Sequence, residues 1–117
     1  MLYNGEISGE NGIAYTVDFP SALQTSVYGP DLVSTENNLV RLVGSYINSQ
    51  SSDRYGFFYE GTLSELALGS GIYRPIPNPA TEGTFNYAHS TDGGLVVGGY
   101  DGPTESGSNL GPISAYI

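Results

Sequence analysis

The chain repeats itself. Tyr3-Asn4-Gly5 returns as Tyr59-Glu60-Gly61, and Ile13-Ala14-Tyr15 as Gly71-Ile72-Tyr73. Phe19-Pro20 followed by Tyr28 returns as Asn78-Pro79 followed by Tyr87. Ser34-Thr35-Glu36-Asn37-Asn38-Leu39 returns as Ser90-Thr91-Asp92-Gly93-Gly94-Leu95, and Val43-Gly44-Ser45-Tyr46 as Val97-Gly98-Gly99-Tyr100. Gly56-Phe57-Phe58-Tyr59 has a weaker echo in Ser114-Ala115-Tyr116-Ile117. The matches keep their order, with offsets from 54 to 59 residues. Such a period marks a chain built from copies of one unit that cannot bury its apolar face alone. The 117 residues then form a single domain of two units, about 1–56 and 57–112, with a third copy starting at the C-terminus.

Within each unit the residues favour strands and turns. Leu39-Val40-Arg41-Leu42-Val43 and Leu95-Val96-Val97 are β-branched or apolar runs. They follow Asn37-Asn38 and Gly93-Gly94, the chemistry of hairpin turns with positive φ. Tyr55–Tyr59 and Thr84–Ala88 read as further strands. Thr62–Leu68 fits a strand or a short helix. Pro75, Pro77 and Pro79 confine Tyr73–Ala80 to an extended or edge segment. Gly102–Gly111 has the composition of a loop. No window carries an apolar stripe of helical period over ten or more residues. The predicted fold is all-β, with two tandem four-stranded antiparallel units.

Charge narrows the partners. Twelve acids face three arginines, Arg41, Arg54 and Arg74, with no lysine, for a formal charge of −9. That balance excludes nucleic acid, because nothing neutralises a run of phosphates. It argues equally against anionic membrane surfaces. No apolar run approaches membrane-spanning length, and Met1–Gly5 does not read as a signal peptide. Without cysteine, thiolate chemistry of every kind is excluded.

The phrasing Tyr15-Thr16-Val17-Asp18-Phe19-Pro20, Ser26-Val27-Tyr28-Gly29, Leu42-Val43-Gly44-Ser45-Tyr46 and Tyr55-Gly56-Phe57-Phe58-Tyr59-Glu60-Gly61 resembles the bacterial extracellular HAF-type repeats. The resemblance runs over nearly the whole chain, twice. It implies four-stranded, β-propeller-like blades in a secreted or cell-surface protein. The unit here is longer than the family's usual repeat of roughly forty residues, within the range of repeat arrays. Ile76-Pro77-Asn78-Pro79 replaces the Asp-Phe-Pro stretch in the second copy, and Pro30-Asp31 stands where the family continues with Ile-Asn. Two blades cannot close a propeller ring, which needs four to eight. A pseudo-symmetric antiparallel β-barrel or sandwich is the alternative architecture.

No P-loop, Rossmann fingerprint, HExxH or G-x-S-x-G motif occurs. Asp92-Gly93-Gly94, and Asp101-Gly102 with Glu105, have oxygen ligands and turns of the sort a Ca²⁺ loop uses, but match no calcium motif and read as Asp-Gly turns. No metal, cofactor or catalytic residue is expected. Ten tyrosines are the unusual feature. A tyrosine buries its ring and keeps a polar tip, so most serve packing. A Tyr/Asn/Asp surface also suits stacking on a sugar or forming a protein interface. The candidate ligand-binding set is Tyr28, Asp31, Tyr87, His89 and Asp92. His89, the single histidine, has Asp92 as its nearest acid in sequence. The expected function is a non-enzymatic binding, structural or interaction module, with a small lectin-like carbohydrate-binding β-barrel or sandwich as the alternative. Val43 and Val97, and likewise Tyr46 and Tyr100, should occupy equivalent strand positions in the two units, with the two valine side chains buried. The apolar end Ile113–Ile117 and the start Leu2-Tyr3 offer open strand edges. They should close on each other or pair between chains, and self-association is the expectation.

Overall fold

The computed structural model describes residues 1–6, 8, 9, 11–48, 53–78 and 85–101, and the backbone of Ile113–Tyr116. The expected loop Gly102–Gly111, including Glu105, lies outside the described residues, as does Ile117. The chain opens with a small antiparallel pair, β1 (Leu2–Asn4) and β2 (Ile13–Tyr15). Next come β3 (Ala22–Ser34), β4 (Leu39–Asn48), β5 (Arg54–Thr62), the helix α1 (Leu63–Ala67) and β6 (Ile72–Ile76). A third group holds β7 (Asn86–Asp92), β8 (Leu95–Asp101) and β9 (Ile113–Tyr116). The sheet orders are β1-β2, β3-β4-β5-β6 and β7-β8-β9, and every ladder is antiparallel.

The β4–β5 ladder organises the core. Leu42 stands opposite Tyr59, Gly44 opposite Phe57 and Tyr46 opposite Tyr55. Paired residues share a face, so one face of the sheet is apolar along its middle. Val17, Val40, Leu42, Phe57, Tyr59, Leu63 and Leu66 are buried there. Phe19 adds its ring, stacked on Tyr46 at a centroid distance of 3.8 Å. Thr62 caps α1: its hydroxyl accepts from the Glu65 backbone N–H, while the Glu65 carboxylate accepts from the Thr62 N–H. That reciprocal pair resolves the Thr62–Leu68 ambiguity in favour of a helix, because it satisfies end donors that a strand would leave to a ladder.

The other face of the sheet is covered by β7. Val43, Ser45, Asn86 and Ala88 are all fully buried. The backbone of β7 passes directly over Gly29, where a Cβ would come within 2.8 Å of the His89 carbonyl oxygen and 3.0 Å of Ser90 Cα. Asn86 fixes the crossing. Its amide oxygen accepts from the Gly56 N–H, and its amide nitrogen donates to the Ile76 carbonyl at 2.9 Å.

The strands expected at Leu39–Val43, Tyr55–Tyr59 and Leu95–Val97 are present. The proline-rich segment supplies β6, an edge strand. Asn38, Gly93 and Gly94 all take positive φ, as the turn chemistry requires. Three expectations are corrected. The strands form open sheets and not a closed barrel among the described residues. Strand β1 pairs with β2 and β9 with β8, so among the described residues the two ends do not close on each other within the chain, the first of the two ways expected for them. Val97 is 38% exposed although Val43 is fully buried. Both valines lie on the second strand of a meander, but β7 packs on β4, whereas among the described residues Val97 on β8 stays 38% exposed.

Candidate functional site

The crossing of β7 over β3 gathers aromatic rings at one place. Strand β3 carries a bulge between Val27 and Gly29, which leaves Tyr28 without a ladder partner on β4. Strand β7 carries a bulge between Ala88 and Ser90, which leaves His89 unpaired on β8 in the same way. Bulges re-aim side chains. The two re-aimed rings meet, with Tyr28 and His89 parallel within 6° at a centroid distance of 6.0 Å. Tyr87 stands edge-on to both, 6.3 Å from Tyr28 and 6.4 Å from His89. Phe85 extends the row, 5.5 Å from Tyr87.

Arg54 completes the wall. A parallel bridge sets it beside Phe85. Its Nη1 donates to the hydroxyl of the buried Ser45 at 2.9 Å, and that hydroxyl is 3.3 Å from the Tyr28 hydroxyl. Together with Ser26, these residues line an open cup of about 440 Å³. Tyr28 is 45% exposed and Phe85 36%, so their rings are available to a ligand. Flat aromatic faces take up apolar C–H surface, and polar tips at the rim orient a bound molecule.

The structure thus brings together three of the five expected ligand residues, Tyr28, Tyr87 and His89. It does not add the two acids. Asp31 stands opposite Arg41 in the β3–β4 ladder and lines a separate hollow with Leu2 and Tyr3. Asp92 is exposed at the β7–β8 turn, opposite Leu95. Among the described residues no group of three His, Cys, Asp or Glu is placed to hold a metal. Asp101 has a structural task, its Oδ1 accepting from the Phe85 N–H at 2.8 Å and from Asn78 at 3.1 Å. Arg54, Phe85 and Ser26 were not among the expected residues. Neither their spacing nor their type separates them from other strand residues, and only the crossing of the sheets unites them.

The sequence matches two curated proteins. It is 35% identical over 77 residues to a UDP-N-acetylglucosamine 1-carboxyvinyltransferase from Citrobacter koseri, covering 66% of this chain and 17% of that protein. It is 36% identical over 75 residues to the protein of the same name from Enterobacter cloacae, covering 64% of this chain and 16% of that protein. The chain spans about a sixth of the length of the curated relatives it matches. These matches correct the expectation that the chain is not an enzyme, since about two thirds of this chain is similar to a short part of an enzyme. No family model matches the chain. No solved structure matches it.

Proposed function

We propose that the chain binds a carbohydrate in the cup between β3 and β7. The observation that carries this reading is the convergence of the Tyr28, Tyr87 and His89 rings beside a fixed guanidinium. A pyranose has one face of C–H groups and a rim of hydroxyls. Ring faces accept the first, while Arg54, Ser26 and the tyrosine hydroxyls can hydrogen-bond the second. The name of the two curated relatives favours a second, compatible reading, in which this sugar-binding surface serves an enzyme acting on a nucleotide-linked amino sugar. N-acetylglucosamine is therefore the first ligand to test.

The wider setting belongs to the same proposal. The HAF-type phrasing supports a blade-like repeat module, outside the cell or on its surface, that self-associates through open strand edges. Calorimetric titration with N-acetylglucosamine tests the binding reading. Saturable heat is expected for the unaltered chain, and Tyr28→Ala should weaken binding about tenfold, the order of one lost hot-spot side chain. Equal affinity in both chains would remove the cup from the site.

A further inference from the structure

The geometry points to an anionic sugar as the ligand of the cup, with Arg54 as the residue that selects it. This rests on the reading of the cup as a carbohydrate site and deepens it. The three arginines differ in their commitments. Arg41 donates to Glu60 across the β4–β5 ladder at 2.7 Å, so its charge is spent within the sheet. Arg74 lies exposed on the edge strand β6. Arg54 lines the aromatic cup, and among the described residues no carboxylate pairs with it. Its Nη1 is held by a neutral hydroxyl, that of Ser45, which Tyr28 in turn engages.

This arrangement suits recognition of charge. A guanidinium carries five N–H donors, of which the Ser45 bond uses one. The rest can form the paired, charge-assisted bonds that carboxylate or phosphate oxygens accept. Anchoring through Ser45 removes side-chain freedom before the ligand arrives, which lowers the entropic cost of binding. A sugar ring seated against Tyr28, Phe85, Tyr87 and His89 would displace water beside the cation and strengthen its attraction for the ligand's anionic group. The chain's charge of −9 opposes any anion at long range. At about 0.15 M salt that field is screened beyond roughly 8 Å, whereas a contact at Arg54 is not. A neutral hydroxyl would leave the guanidinium charge without a counter-charge. A uronate carboxylate or a sugar phosphate supplies one, and these share the anionic substituent on a pyranose that the cup selects.

Calorimetry at about 0.15 M salt on the full chain distinguishes the cases, using glucose, glucuronate, N-acetylglucosamine and N-acetylglucosamine 1-phosphate. At least one anionic sugar should bind about tenfold more tightly than its neutral parent, the order expected of a hydrogen bond to a charged group. This comparison needs no variant. Arg54→Gln should abolish the advantage, leaving charged and neutral sugars with equal affinity. Arg74→Gln should leave both affinities unchanged, because long-range charge is screened. Equal binding of charged and neutral sugars overturns the selection by Arg54 while the carbohydrate reading stands. So does an advantage that survives Arg54→Gln. Failure of every sugar to bind removes the carbohydrate reading and the inference together. A preference for the phosphate over the uronate, or the reverse, supports the inference and identifies which anion the site takes.

Discussion

Asn86 is a small residue with a large structural task. It is fully buried, and its amide replaces ladder partners for the Gly56 N–H and the Ile76 carbonyl. Asn86→Ala would take the acceptor from the buried Gly56 N–H and the donor from the half-buried Ile76 carbonyl. The expected loss is about 1–3 kcal/mol, the cost of one unsatisfied buried polar group; urea unfolding measures it. Tyr59 makes a second prediction. Burial, helped by Tyr73 and Glu65, pushes its hydroxyl up to about 12, and it donates to the Ser70 carbonyl at 3.1 Å. The folded value lies above the unfolded value of 10.0. The stabilisation is therefore complete below pH 10.0 and lost as the pH rises towards about 12. Tyr59→Phe should lower stability near pH 7 by about 1 kcal/mol, for the lost hydrogen bond, but flatten the alkaline part of the unfolding curve. Neither residue could be singled out in the sequence for these tasks. Asn86 meets Gly56 across 30 residues and Tyr59 meets Ser70 across 11, and no local pattern records such partners.

Elements were more legible than residues. The Asn37-Asn38 and Gly93-Gly94 turns follow from the positive φ that few other residues tolerate. The edge position of β6 follows from Pro75, which has no N–H to give a second neighbour. Helix α1 remained ambiguous because its five residues are too few for a period, and only the Thr62–Glu65 capping pair decides it. Thr62→Ala should cost about 1 kcal/mol. The hydrogen bonds from Thr62 also hold the Glu65 carboxyl below its usual range. Their contribution is thus present above the unfolded carboxyl pKa and lost as the pH falls through the folded one. The bulges were not legible, because a bulge adds one residue without changing composition. They explain why the matched tyrosines mislead. In the ladders Val27 and Ala88 both face a glycine of the neighbouring strand, Gly44 and Gly98, so the position of Tyr28 answers to that of His89, not of Tyr87. Gly29 tests the crossing itself. Gly29→Ala places a methyl against β7 backbone at 2.8–3.0 Å, which flexible side chains cannot relieve. Overpacking of this kind costs about 1–3 kcal/mol, and the ring-proton shifts of Tyr28 and His89 should move as their stack opens.

At the scale of the molecule, the sheet β3-β4-β5-β6 is an apolar layer on one side and a platform for β7 on the other. The cup arises only because the second sheet crosses the first at Gly29. That is why the acids Asp31 and Asp92 looked as eligible as the aromatic residues in the sequence and fall elsewhere in the fold. It is also why Arg54 and Phe85, far apart from Tyr28 in the chain, belong with it. The self-association proposed for the open edges predicts a sedimentation coefficient that rises with concentration in the micromolar range. A single monomeric species throughout would contradict that part of the account. The central claim, that the crossing builds a sugar site, is tested most directly by nuclear Overhauser contacts between a bound sugar and the aromatic side chains. The account predicts cross-peaks from the ring protons of Tyr28, Tyr87 and His89 to the C–H protons of one sugar face. Cross-peaks confined to residues outside the cup, with those three rings silent at saturation, would contradict it.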